Sequence, residues 1–214
     1  MSDAPLLILG TGNRKKGLEL AHLVAPLAIE VRTLADFANA LSVVEDGDSF
    51  AANATKKATQ QARHLGRWVL GEDSGLVVDA LDGAPGIYSA RYAGEQARDE
   101  ANNRRLLAEL ADVPLPRRTA HYVCHATLAD PQGVVRAEAE SQCFGRIALA
   151  DRGTNGFGYD PLFEVVEYHR TFGELGPAVK ACLSHRARAL RQLLPQLPAL
   201  LHGERPGGKC SVKA

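Results

Sequence analysis

A mixed α/β fold is predicted by three features of the sequence. Short apolar runs alternate with helix-period segments as far as about residue 110, the mark of βα units. From Ala120 to Ile147 the period changes to two, with Asp130-Pro-Gln-Gly133 in the middle, the pattern of a long antiparallel hairpin. A last helical stripe follows, formed by Leu183, Ala187, Leu190 and Leu194. Parallel βα units and an antiparallel hairpin in one chain require a mixed sheet rather than a purely parallel one.

The elements read in order as follows. Leu6-Leu-Ile-Leu9 is a short strand that ends at the turn Gly10-Thr-Gly-Asn13. Leu20, Leu23, Val24 and Leu27 then recur at i, i+3, i+4 and i+7, so a helix follows until Pro26 disrupts it. Ile29–Leu34 reads as a second strand. The polar loop Glu45-Asp-Gly-Asp48 leads to Ser49, a good N-cap for an alanine-rich helix reaching about His64. Trp68–Gly71 and Leu76–Leu81 read as two strands separated by a break at Glu72-Asp-Ser-Gly75. Gly83-Ala-Pro-Gly86 marks a turn, and Asn103, Leu106, Leu107 and Leu110 mark another helix face. Gly153-Thr-Asn-Gly-Phe-Gly158 is a glycine-rich loop. Residues 1–202 are expected to form one domain, and 203–214, with their Pro, Gly and Lys residues, a flexible tail.

Composition narrows the function. Twenty-five basic residues cancel 25 acidic ones, so bulk attraction to nucleic acid or an anionic membrane is not expected. No apolar run approaches the roughly 20 residues that span a bilayer. The N-terminal residues lack a secretory pattern, which points to the cytoplasm. Cys124, Cys143, Cys182 and Cys210 are widely spaced, so neither a disulfide framework nor a zinc site is expected.

Several segments carry candidate chemistry. Thr11, Gly12 and Asn13 lie between a strand end and a helix start, where free backbone N–H groups and the helix dipole attract an anion. Arg14, Lys15 and Lys16 open that helix against its dipole, which a bound phosphate would explain. Gly10-x-Gly12 with Gly17 is a poor dinucleotide fingerprint because the third glycine arrives two residues late. Gly203–Lys209 matches the spacing of a phosphate-binding P-loop, yet Cys210 follows where Ser or Thr belongs and no strand precedes it. Glu72, Asp73 and Ser74 sit at a strand end and could hold a hard cation and polarise water; an acidic surface turn is the ordinary alternative. Phe157, Gly158, Tyr159 and Asp160 could stack on a base and accept hydrogen bonds from it, or could anchor their loop in the core. Lys180, Ser184, His185 and Arg186 form a donor-rich cluster suited to carbonyl or phosphate oxygens, or else an ordinary solvated first turn.

Six of these segments together resemble one family. They are Thr11-Gly-Asn13 with Lys16, Ser49-Phe50-x-x-Asn53-Ala54-x-x-Lys57-Ala58, Asp73-Ser-Gly-Leu76, Gly83-Ala-Pro-Gly-Ile-Tyr-Ser-Ala-Arg-Tyr92, Gly156-Phe-Gly-Tyr-Asp-Pro161 and Ser184-His-Arg186. In this order they are similar to the non-canonical purine nucleoside triphosphate pyrophosphatases, the inosine triphosphatase or HAM1 family. The resemblance runs from about residue 6 to 195. It implies a two-lobed fold with a long central mixed sheet, a cleft between the lobes and a homodimer. It also implies Mg²⁺-dependent hydrolysis of dITP, ITP and XTP to the monophosphate and pyrophosphate, which keeps deaminated purines out of DNA and RNA. By position, Thr11, Gly12, Asn13 and Lys16 would bind the triphosphate. Asp73 would be proton acceptor and metal ligand, and Ser74 a substrate contact. Phe157, Gly158, Tyr159 and Asp160 would line the nucleoside site, and Lys180, His185 and Arg186 would reach the base.

One position departs from the family pattern. The resemblance implies Phe-x-Glu-Asn-Ala with its Glu as a metal ligand, whereas this chain has Phe50-Ala-Ala52-Asn-Ala54. Glu72 is the expected substitute beside Asp73, with Glu45, Asp46 and Asp48 as alternatives. The same departure sustains a second hypothesis, a sensor that binds abnormal triphosphates without hydrolysing them. A pyrophosphatase acting on modified pyrimidine nucleotides is disfavoured by Ser184-His-Arg186.

Overall fold

The computed structural model describes residues 4–202. The expected tail, the P-loop-like segment and Cys210 lie outside the described residues.

Three parallel strands start the sheet. β1 (Leu6–Leu9) pairs in parallel with β2 (Glu30–Thr33) on one side and β3 (Trp68–Val78) on the other. Between β1 and β2 runs α1 (Arg14–Val24), and between β2 and β3 runs α2 (Phe50–Leu65). Ser49 caps α2 by accepting the Ala52 N–H at 3.2 Å, as expected of a serine at that place.

After α3 (Asp99–Glu109) the chain forms the hairpin of β4 (Thr119–Ala129) and β5 (Val135–Ile147), turned by Asp130–Gly133. β4 pairs antiparallel with β3 through Val69–Val78. Two short strands, β6 (Phe163–Val165) and β7 (Arg170–Thr171), complete a seven-stranded sheet of order β2-β1-β3-β4-β5-β6-β7. α4 (Pro177–Leu183), α5 (His185–Leu193) and α6 (Leu197–Leu201) follow. The mixed sheet is therefore as the sequence predicts.

The expected break at residues 72–75 does not occur. β3 runs unbroken for 11 residues, and Glu72, Asp73, Ser74 and Gly75 each pair with a residue of β4. Its side chains alternate between two faces. On one face lie Leu70, Glu72, Ser74, Leu76 and Val78. Leu70 belongs to a core with Leu7, Leu9, Leu20, Leu128 and Leu190. Leu76 and Val78 belong to another with Leu106, Tyr122, Phe163 and Phe172. Glu72 and Ser74 interrupt the apolar stripe between the two cores, and this polar gap divides the protein into two lobes. On the other face Val69 packs with Ile8, Ala58, Ala62 and Ala129 under α2. Gly71 and Gly75 flank Asp73 there. A Cβ on Gly71 would lie 2.3 Å from the Ala54 carbonyl oxygen, and one on Gly75 2.4 Å from that of Gly86. Their bare backbones let α2 and residues 86–89 close directly onto the strand around Asp73.

Candidate active site

The gap between the lobes is a cleft of about 190 Å³. It is lined by Asn13, Lys16, Ser74, Phe157, Gly158, Tyr159, Asp160, Lys180, His185 and Arg186, ten of the residues singled out in the sequence. Thr11, Gly12, Glu72 and Asp73 border this group without lining it. Ser89, which lies in the Gly83–Tyr92 segment, also lines the cleft, as do Asp99, Asn102 and Tyr122, which were not singled out as site residues in the sequence. A more apolar hollow of about 300 Å³ shares Phe157 and Lys180 with it.

The phosphate-loop expectation needs one correction. Asn13 is the N-cap of α1, and its Oδ1 accepts the N–H groups of Lys15 and Lys16 at 2.9 and 3.4 Å. Asn13 N–H in turn donates to Thr11 Oγ1 at 3.2 Å. Two amides expected to face an anion are thus satisfied by the cap. Positive charge at this end comes from the helix dipole and from Lys16, whose Nζ reaches into the cleft and lies 3.4 Å from Glu72 Oε1.

Glu72 organises the centre. Both of its oxygens accept from Arg186 Nε at 2.9 Å, and Ser74 Oγ donates to Oε1 at 3.0 Å. Arg186 also donates to Ser74 Oγ at 3.1 Å and to Glu19 Oε2 at 2.7 Å. Burial acts to raise the Glu72 carboxyl, but the Arg186 and Lys16 charges outweigh it and hold the group well below the usual carboxylate range. Glu19 was not legible as a site residue; its only signal is its i+3 spacing from Lys16 on α1.

Asp73 lies on the opposite face. Its Oδ2 accepts from Asn53 Nδ2 at 3.2 Å and its Oδ1 from Lys57 Nζ at 3.1 Å. Asn53 and Lys57 are four residues apart on α2 and so share a helix face. Burial raises the Asp73 carboxyl above its ordinary value, an effect that Lys57 offsets only in part and that the nearby Glu45 charge reinforces. The expectation that Glu72 and Asp73 hold one metal ion together is therefore corrected. They project to opposite sides of β3, and Glu72 is bound on both oxygens by Arg186.

The base-side residues form a second cluster. Lys180 Nζ donates to Asp160 Oδ2 at 2.6 Å, and the Phe157 N–H donates to the same oxygen at 2.8 Å. Asp160 was expected to accept from a ligand; here it holds the loop and Lys180 in place. The Phe157 ring has Lys180 Nζ 4.3 Å from its centre, with Arg186 and Lys15 at 5.5 and 5.6 Å. Tyr159 is buried and donates to the Ser89 carbonyl at 2.8 Å. His185 stacks on Tyr122 at 4.6 Å with a 12° interplanar angle, and its Nδ1 has no hydrogen-bond partner among the described residues. Burial, reinforced by the Arg186 charge, holds its pKa well below the usual histidine value, so the ring is neutral.

β1 ends at Leu9, opposite Leu70, and Gly10 N–H closes that edge onto the Leu70 carbonyl at 2.8 Å. Beyond Leu70 this edge of β3 is not covered by β1. The Glu72–Lys16 pair and the Asp73–Lys57 pair lie on the two faces of this stretch of β3. Among the described residues, no three His, Cys, Asp or Glu side chains converge as a metal cage. A cation here would rest on one or two carboxylates, substrate phosphates and water, an arrangement common for Mg²⁺.

A mixed sheet with a cationic loop at a strand end and a donor-rich cleft beside an aromatic ring defines a nucleotide-binding α/β protein. Comparison with known proteins makes the assignment narrower. A sequence profile of the Ham1 family matches residues 7–196, and the chain belongs to that family. It is 58% identical over 195 residues to the dITP/XTP pyrophosphatase of Rhodopirellula baltica, covering 91% of this chain and 94% of that one. The dITP/XTP pyrophosphatase of Desulforamulus reducens is 46% identical, with 92% and 98% covered. Among solved structures, a HAM1 protein from Coxiella burnetii superposes with a TM-score of 0.82 at 35% identity, covering 90% of this chain and 98% of that one. A nucleoside-triphosphatase / dITP/XTP pyrophosphatase from Mycobacterium abscessus gives 0.72 at 40% identity, with 90% and 99% covered.

Proposed function

We propose that this protein hydrolyses non-canonical purine nucleoside triphosphates (dITP, ITP and XTP) to the monophosphate and pyrophosphate. The observation that carries the reading is Glu72. One buried carboxylate joins Lys16, beside the phosphate loop, to Arg186, on the base side, and the candidate base Asp73 is the next residue in the chain. Family membership and the dITP/XTP pyrophosphatase names of the relatives support the same activity.

In this reading the triphosphate lies beside the stretch of β3 just past Leu70, where β1 no longer pairs with it. Water attacks the α-phosphorus, the bond to the β-phosphate bridging oxygen breaks, and pyrophosphate leaves. Asp73 orients the water and takes its proton; its raised pKa makes it a better acceptor than a solvated aspartate. Lys16 and the N-terminus of α1 stabilise negative charge developing on the leaving oxygens. Mg²⁺ is the proposed cofactor, with Asp73 as a ligand, and when bound it neutralises phosphate charge. Donors from Lys180, His185 and Arg186 face the 6-oxo acceptor of hypoxanthine or xanthine and mismatch the 6-amino donor of adenine.

A homodimer and a cytoplasmic location complete the proposal. Exposed Tyr88, Phe144 and Leu149 support the first, and sedimentation velocity tests it. Unpaired Cys124, Cys143 and Cys182 support the second. Among the described residues no helix is long and apolar enough to cross a membrane. A panel of dITP, ITP, XTP, dATP, dGTP, dTTP and dUTP, assayed for pyrophosphate and phosphate with and without Mg²⁺, tests the activity. Pyrophosphate from the first three is expected; tight binding without turnover would establish the sensor reading instead, which no feature of the site favours.

A further inference from the structure

We propose that Asp99, at the start of α3, is a positioning residue for the nucleoside side of the cleft: it holds the Gly158 peptide and thereby sets where the Phe157 ring stands. The inference rests on the nucleotide reading above. It concerns a residue that lines the cleft but takes no part in the chemistry proposed there.

Phe157 is flanked by two glycines with left-handed backbone, Gly156 at φ +78° and Gly158 at φ +63°. Two carboxylates hold the peptide groups on either side of the ring. Asp160 Oδ2 accepts the Phe157 N–H at 2.8 Å, and Asp99 Oδ2 accepts the Gly158 N–H at 2.7 Å. Together they fix both backbone torsions of Phe157 and leave only those of its side chain free. Asn103, four residues after Asp99 and so on the same face of α3, donates from Nδ2 to the Gly158 carbonyl at 3.3 Å. Gly158 is thus held at its N–H and at its C=O by one helix. The cations gathered about the ring, Lys180, Arg186 and Lys15, meet it in a fixed place.

An acid in the first turn of a helix is favoured by the dipole wherever its side chain points. Asp99 does more, because it reaches a residue 59 positions away. It is exposed and belongs to none of the three apolar cores, so its removal opens no cavity in them. Asn102, beside Asn103, donates from Nδ2 to the Ala90 carbonyl at 3.2 Å and accepts the Ala93 N–H at Oδ1 at 2.8 Å. α3 therefore anchors both the 89–93 segment and the Phe157 loop, the two stretches that the Tyr159–Ser89 hydrogen bond joins. A base stacking on Phe157 gains most when the ring is already in place, since ordering a side chain on binding costs affinity.

Calorimetric titration of the full chain with inosine and deoxyinosine monophosphate, which carry base and sugar without a bond for the proposed reaction to cleave, tests this without turnover. Asp99→Ala should weaken both ligands about tenfold and leave inorganic pyrophosphate binding near the parent value. Asp99→Asn, whose side-chain oxygen still accepts the Gly158 N–H, should recover most of the loss. In a Phe157→Leu background Asp99→Ala should have little further effect, because the two residues act as one unit. Circular dichroism confirms that each variant is folded. Full additivity of the two substitutions would overturn the proposal, as would equal weakening of pyrophosphate. Weakening of inosine monophosphate with the deoxy ligand spared would also overturn it, in favour of a direct contact to the 2′-hydroxyl. Loss of binding in Phe157→Leu with none in Asp99→Ala would remove the role of Asp99 and leave the nucleotide reading standing. No binding of either monophosphate by the parent would remove the nucleotide reading, and this proposal with it.

Discussion

Glu72 and Asp73 are adjacent in sequence, yet each is held by a different helix on a different face of β3: Glu72 by Arg186 of α5, Asp73 by Lys57 of α2. Strand alternation thus separates a structural carboxylate from the proposed proton acceptor within a single step of the chain. The two should respond oppositely to neutralisation.

Glu72→Gln leaves the Arg186 guanidinium buried beside a neutral amide. Removing one partner of a buried ion pair costs about 3–5 kcal/mol, so urea denaturation should show a loss of that order. The pH dependence follows from the depressed carboxyl of Glu72. Its stabilisation is complete above the unfolded-state pKa, roughly 4.3 for Glu, and is lost as pH falls through the lower folded-state value. The parent should therefore lose stability in acid more steeply than Glu72→Gln. Parallel curves for the two would contradict the assignment.

Asp73→Asn removes the proposed proton acceptor. Positioned bases contribute about 10²–10⁴-fold, so kcat should fall by that factor. The fold should be no less stable, because burial makes the ionised form unfavourable. In the cation-free protein the raised carboxyl lets protons compete with the proposed Mg²⁺, so at sub-saturating Mg²⁺ the acid limb of kcat/KM should lie above the ordinary aspartate range, with activity lost as pH falls through it. Stopped assays from pH 4 to 8 would expose the limb, and a plateau persisting to pH 4 would count against Asp73.

Lys16→Ala tests the phosphate end. A hydrogen bond to a charged group is worth about 1.5–3 kcal/mol, or roughly a 10- to 150-fold loss in kcat/KM. The loss should be largest for triphosphates and small for competitive inhibition by inosine monophosphate. Equal weakening of both ligands would move Lys16 away from the β- and γ-phosphates.

The sequence showed these residues unevenly, for physical reasons. The loop at Asn13, the cap at Ser49 and the hairpin around Asp130–Gly133 follow from local rules and stand where expected. The strand through Glu72–Gly75 did not, because two acids with Ser-Gly carry the composition of a turn. Only long-range partners, Arg186 more than a hundred residues away and Lys57 on α2, make buried acids tolerable in mid-strand. Lys57 and Glu45 were visible as residues but not as a pair, since a loop-to-helix contact leaves no periodicity. Tyr122 read as one member of an alternating strand, and its stacking on His185 depends on the tertiary fold.

That stacking leads to the sharpest expectation about the base. His185 lines the cleft, buried against Tyr122 and uncharged, with Nδ1 unpartnered among the described residues. A neutral imidazole carries one N–H donor, which the 6-oxo oxygen of hypoxanthine can accept and the 6-amino group of adenine cannot. His185→Ala should lower kcat/KM for dITP by about 10- to 100-fold, the equivalent of roughly 1–3 kcal/mol, and change that for dATP little, so the preference between them narrows. Because burial keeps the ring neutral, the parent should show no titration in kcat/KM near pH 6.5. A limb at that pH, abolished in His185→Ala, would mean that the imidazolium forms in the cleft and that charge, not hydrogen-bond pattern, selects the base.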